Sequence, residues 1–296
     1  MTLRKITDDE IIQAIFSLKD TKDRGLRSNF KQLDNAVGGI WRDGIVIQGP
    51  PDAGKTSLCK NLQVAFCIGH NAVIDLDLEN PKTENLINLM AIFLASFHGK
   101  GAPTRGQLTD NPEILAEGVN VELRVKHLLP YYYRAEVDEE ERKKKPEQML
   151  YGWVAGVARE LPRGKQVALF LDSLQYLADA LALSRDPLQN VEKWISTLVR
   201  LRARAESELG LNLPIFLIPH RLKSTHNVDE MMQLKGSSAI PHWARTQLKL
   251  ERTGPNDIKV KVLRAQYGTG KGNEIFFHFD QARLLMEEYQ SERRDW

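Results

Sequence analysis

Cysteine is scarce in this sequence, and so are charge imbalance and long apolar runs. Only two cysteines occur, Cys59 and Cys67, eight apart in a helical pattern. Their side chains face different directions and do not readily bridge, which excludes a disulfide scaffold and makes a reduced, cytoplasmic compartment the simpler reading. No window approaches the length of apolar run that a membrane span needs, and charges are scattered through the first ten residues, so neither a span nor a signal peptide is expected. The 41 basic and 39 acidic residues leave a net charge of +2. Any nucleic-acid contact must therefore come from a local patch. At 296 residues and 42% hydrophobic, the chain is long enough to bury one sizeable core.

What is present is an alternation of short apolar runs and helical patterns. Residues 8–18 place Ile11, Ile12, Ala14, Ile15 and Leu18 at helical spacing, followed by the linker DTKDRG. This predicts a short amphipathic helix whose apolar face is covered by its own domain or by a neighbouring subunit. Residues 1–27 are thus read as an N-terminal helix and linker, and 28–296 as one domain. Within that domain GIVIQ, AVIDLDLE, VELRV, VALFLD and PIFLIP alternate with helical patterns near 55–67, 84–97, 147–160 and 191–209. The alternation predicts an α/β fold with a mostly parallel twisted sheet flanked by helices. After residue 235, QLKLE, IKVKVLR and NEIFFHF are separated by turns and read as antiparallel strands added at the C-terminal edge. The run DEEERKKK at 138–145 reads as a solvated face.

The segment GPPDAGKT at 49–56 matches G-x-x-x-x-G-K-[ST], follows an apolar strand and opens a helix. A polyphosphate needs many donors at close range, and such a loop turns successive backbone N–H groups toward it at the positive end of a helix. Gly49, Pro50, Pro51, Asp52, Ala53, Gly54, Lys55, Thr56 and Ser57 are the nucleotide-binding candidates. Lys55 would supply a mobile charge to the β- and γ-phosphates, and the Thr56 hydroxyl a ligand to magnesium. VALFLDS ends a buried-type strand in Asp172, an acid placed to hold the metal through water; its bland reading is a helix cap. In AVIDLDLEN the acids Asp75, Asp77 and Glu79 share one strand face. Ligands sit beyond the carboxyl ends of parallel strands, so Glu79 is the candidate base, with Asp75 and Asp77 as structural polar positions.

Together these residues resemble the RecA superfamily, and within it the motor core of DnaB-type replicative helicases and the RadA/Sms branch, over residues 28–280. SNFKQLDNAVGGI is similar to the family's lead-in to the phosphate loop, LDSLQYL to its magnesium strand, and IFLIPHRLKS to the strand whose end senses the γ-phosphate. The resemblance puts the catalytic carboxylate on Glu79 and the sensor on His220, although a strand-end histidine is the plainer reading of His220. LRAQYGTGKG resembles a terminal hairpin that reaches a neighbouring subunit's ATP, a role that falls on Arg264. The helicases usually carry Lys-x-Arg there; this chain has Arg264 and Gln266, so one finger cation is missing.

The resemblance implies an ATP-hydrolysing, DNA-binding oligomeric motor using ATP and Mg2+, with single-stranded DNA as partner and a homo-oligomeric, hexameric ring as assembly. It leaves open a RecA/RadA-like recombinase or mediator, and a regulatory ATPase acting on protein partners. The aperiodic segment 220–237 contains Arg221, Lys223 and Lys235, the candidate contacts to DNA phosphates; taken alone it is also an ordinary surface loop. Tyr131, Tyr132 and Tyr133 read as packing or subunit-contact residues or as a base-stacking platform.

Overall fold

The structure, a computed structural model, describes residues 26–39, 41–77, 80–111, 113, 131–219, 239–266 and 268–289. In chain order the first half holds α1 (Lys31–Ala36), β1 (Gly44–Gln48), α2 (Lys55–Ile68), β2 (Ala72–Asp77), α3 (Lys82–His98), α4 (Arg105–Asp110), β3 (Tyr132–Arg134), α5 (Glu139–Lys143) and α6 (Pro146–Glu160). The second half holds β4 (Val167–Asp172), α7 (Leu174–Ala180), α8 (Pro187–Leu209), β5 (Ile215–Ile218), α9 (Ala239–Trp243), β6 (Thr246–Arg252), β7 (Asp257–Ala265), β8 (Glu274–Asp280) and β9 (Leu285–Tyr289).

These strands form one sheet in the order β3-β2-β4-β5-β1-β6-β7-β8-β9. From β3 to β6 every pairing is parallel, and from β6 to β9 every pairing is antiparallel. The α/β fold with an antiparallel C-terminal edge is therefore as the sequence leads one to expect. β1, β4 and β5 are buried at every residue, because helices cover both faces of the parallel part. One core packs α2, α3 and α4 against the sheet and continues under β6 to β9 through Leu250, Ile258, Val260 and Phe277. The opposite core joins α6, α7, α8 and α9 to β1, β2, β4 and β5. It has no member from β6 to β9. On that side of the extension, Lys249, Glu251, Lys259 and Glu274 form a ladder of ion pairs at 2.6–3.1 Å.

Two strands depart from the sequence reading. The partner of β2 is built from Tyr132, Tyr133 and Arg134, whereas VELRV lies outside the described residues. β9, LMEEY, adds a further strand that its two acids hid. The tyrosine triple is committed to packing contacts: Tyr131 stacks on His70 with ring centroids 5.3 Å apart, the Tyr132 hydroxyl donates to Asp75, and that of Tyr133 donates to Glu160. The 138–145 charge run forms α5, which has no buried residue and starts on an Asp138 cap. Cys59 and Cys67 are buried and free. The amphipathic helix at 8–18 lies outside the described residues.

The lead-in to β1 has a clear physical role. Asp34 accepts hydrogen bonds from the Ser28 backbone and hydroxyl and, at 2.6 Å, from the Trp41 indole. Phe30 meets Phe277 edge to face at 5.1 Å. Glu288 of β9 accepts from the backbone N–H groups of Gln32 and Leu33, two of the donors that a helix start leaves unpaired. α1 is thereby stitched to both the start of β1 and the far edge of the sheet.

Candidate functional site

The candidate site is built where β1 stops and α2 starts, at the carboxyl end of the parallel strands. Gly54 stands at the N-cap of α2 with φ 89, a left-handed conformation that glycine adopts without cost. A Cβ there would meet Ile258 Cδ1 at 2.5 Å, so a side chain would have to push Ile258 of β7 aside. A Cβ on Gly49 would similarly come within 2.5 Å of the Leu250 carbonyl on β6. Ala53 is buried, while Pro50, Pro51 and Asp52 are exposed. The antiparallel extension thus forms one wall of the loop. The Lys55 ammonium donates to the carbonyls of Gly49 at 3.1 Å and Pro50 at 2.7 Å, which keeps it inside the curve of the loop. Ser57 lies in the first turn of α2.

Thr56 and Asp172 are 116 residues apart in sequence, and the fold brings them together: the Thr56 hydroxyl donates to Asp172 Oδ2 at 3.0 Å. Two oxygen donors at the mouth of the loop suit a hard divalent cation whose remaining ligands are waters and phosphate oxygens. Among the described residues no cluster of three or more His, Cys, Asp or Glu could cage a metal by itself.

Asp77 sits beside Asp172 in register, β2 against β4. It is fully committed: Asp77 accepts from the Asn80 backbone and side chain and from Asn85 Nδ2 at 2.8 Å. Lys60, one turn beyond Thr56 on α2, reaches Asp75 at 2.7 Å and Asp77 at 3.4 Å. Gln63 and Tyr132 also donate to Asp75. Burial opposes the charged form of Lys60, but Asp75 and Asp77 outweigh it and raise its pKa. Burial likewise opposes ionised Asp77, yet Lys60 and the asparagine donors bring its pKa below the usual value. Asp75 and Asp77 are thus both bound up in buried contacts with α2 and the neighbouring elements. The burial of Lys60 beside these acids is what sequence reading misses, since a lone lysine in a helix reads as a solvent-facing position.

The other candidates are more scattered. Glu79, His220, Arg221, Lys223 and Lys235 lie outside the described residues. Arg264, half-buried near the end of β7, pairs with Gln247 on β6, which pairs with Val46 on β1. Gly49 is three residues further along β1, so Arg264 starts about 14 Å from its own loop at ordinary strand spacings. Its register row runs through Val46, Leu217, Leu171 and Leu76, one residue short of Asp172. Gln266 follows β7, its N–H donating to the Arg245 carbonyl at 3.0 Å.

No family model and no curated protein matches the sequence. Solved structures do. The chain is similar to an ATPase domain over 97% of its own length and 100% of that chain, at 16% identity and TM-score 0.68. A DnaB-like replicative helicase, solved for its interactions with primase, is matched over 97% of this chain and 68% of that one, at 16% identity and TM-score 0.64. The RadB recombinase is matched over 90% and 100%, at 15% identity and TM-score 0.55. The fold is RecA-like. In this RecA-like core the glycine loop follows β1 and Asp172 ends β4, with β5 between them, at the carboxyl ends of parallel strands where open α/β sheets bind their ligands. No helix among the described residues is long and apolar enough to cross a membrane.

Proposed function

We propose that the chain is a magnesium-dependent ATPase and the motor core of a DnaB-like translocase acting on single-stranded DNA as a ring-shaped homo-oligomer. The observation that carries the first half is the 3.0 Å link between Thr56 and Asp172 at the mouth of a glycine loop. Magnesium, when bound, would neutralise charge on the transferring phosphoryl group. Thr56 and Asp172 would hold it, Lys55 would swing from its two carbonyls onto the phosphates, and Glu79 would orient the attacking water. The likeness to a DnaB-like helicase supports the motor reading. The comparable likeness to the RadB recombinase keeps a recombinase as the second reading.

ATP turnover with and without Mg2+, and with and without single-stranded DNA, tests this reading. Lys55→Ala should abolish hydrolysis, and DNA should stimulate the parent protein. A turnover indifferent to both Lys55 and magnesium would remove the ATPase reading, whereas DNA-independent hydrolysis would favour a regulatory ATPase with protein partners. Electron microscopy with an ATP analogue and DNA separates rings from filaments. For the DNA contacts, replacing Arg221, Lys223 and Lys235 by alanine should weaken binding and flatten its log–log salt dependence by roughly 0.7 per lost phosphate contact. An unchanged slope would rule that segment out.

A further inference from the structure

We propose that Lys60, Asp77 and Arg134 are positioning residues that fix the end of β2 relative to the phosphate-loop helix, and so support the catalytic role assigned to Glu79, two residues beyond Asp77 in sequence. The inference rests on the reading of Glu79 as the group that orients the attacking water. Arg134, at the end of edge strand β3, donates from one nitrogen, Nη2, to the carbonyl of Asp77 at 3.1 Å and to that of Asn80 at 3.0 Å. Those carbonyls stand on either side of residues 78 and 79.

Asp77 and Asn80 are also linked independently of Arg134. The Asp77 carboxylate holds the Asn80 backbone N–H and side chain and is itself held by Asn85 from α3. Lys60 then ties Asp77 and Asp75 to α2. Thr56 and Lys60 are four residues apart on α2, one above the other on the same helix face. Each makes a link to one of two neighbouring strands, Thr56 to Asp172 on β4 and Lys60 to the acids of β2. The helix that opens the phosphate loop is therefore bolted to both strand ends at once.

Stability alone is a poor account of this arrangement. Lys60, Asp75 and Asp77 are at most 3% exposed, and an apolar set of equal volume is often as stable as a buried ion cluster or more so. What a hydrogen-bonded charge cluster adds is a narrow range of permitted positions. Displacing a reacting group by about 1 Å can cost on the order of 100-fold in rate, so a base at the end of a strand gains from such bracing.

Arg134→Met decides the matter, because Lys60→Met would leave two buried carboxylates without their cation and could unfold the chain. With the full chain, ATP and Mg2+, Arg134→Met should lower kcat about 10-fold or more while KM for ATP moves less than about twofold. In the Glu79→Gln background the same change should cost nothing further, since its target is gone. A cooperative melt near that of the parent checks folding. A folded Arg134→Met protein with parental kcat, a rise in KM alone, or a loss that adds in full to that of Glu79→Gln would each overturn the inference. The two readings fail separately: normal turnover by Glu79→Gln removes Glu79 as the base, whereas slow Glu79→Gln with normal Arg134→Met removes only the positioning role.

Discussion

Lys60 keeps its charge in a place that water does not reach, and the pH dependence of stability should carry its mark. Its pKa is raised in the folded chain, chiefly by Asp75 and Asp77 against the opposing effect of burial. The stability it contributes is therefore complete below the unfolded lysine value, about 10.4, and is lost as pH rises through the higher folded value. Asp77 is the mirror case. Its folded pKa is lowered, so its contribution is present above the unfolded value, about 3.9, and is lost as pH falls through the lower folded one. Denaturant midpoints measured against pH should flatten at both ends in Asp77→Asn relative to the parent; an unchanged alkaline limb would show that Lys60 relies on Asp75 alone. At this scale the sequence was legible where chemistry needs a pattern, as at Lys55, Thr56 and Asp172. It was silent on Lys60 and Arg134, whose contacts run between elements far apart in sequence and have no local spacing to announce them.

Elements at the rim of the sheet carry more than their length suggests. β9 supplies Glu288 to the bare start of α1, and Asn61 of α2 accepts from the Met286 backbone and donates to the Leu284 carbonyl. The last strand thus clamps both helices that flank β1. Glu288→Ala should cost about 1 kcal/mol, the usual scale for a lost helix cap, and lower the melting temperature by roughly 2 °C. Glu288→Gln keeps an acceptor and should lose less; equal losses would mean that the carboxylate's charge, and not its hydrogen bonds, matters there. Strands buried on both faces, β1, β4 and β5, were legible as unbroken apolar runs. β3 and β9 were not, because edge strands are half wet and take tyrosine, arginine and glutamate in place of the alternation that marks a core.

For the whole molecule, the decisive geometry is the distance between Arg264 and its own phosphate loop. We expect Arg264 to act on a neighbour's ATP, with Arg264→Ala retaining nucleotide affinity while losing hydrolysis, since the charge counts most in the transition state. Mixing Arg264→Ala with Lys55→Ala, each inactive alone, should restore ATP turnover at interfaces that pair an intact loop with an intact arginine. No recovery, with subunit exchange demonstrated, would confine Arg264 to its own chain. Gln266 stands where the resemblance to DnaB-type helicases implies a second finger cation, so the parent rate itself should rise on Gln266→Arg if that position also faces the neighbour.

The β6–β7 pair touches the loop of its own chain through Leu250 and Ile258 and carries Arg264 two strands away from β1. If every catalytic centre is shared in this way, activity becomes a matter of counting. An isolated chain has no complete centre, and an open row of n chains has n − 1. Only a row closed on itself has n. Turnover per chain would then climb with concentration as rows lengthen, and jump to its ceiling upon closure. The shape of a dilution curve would thus report whether this protein works as a circle or as a line.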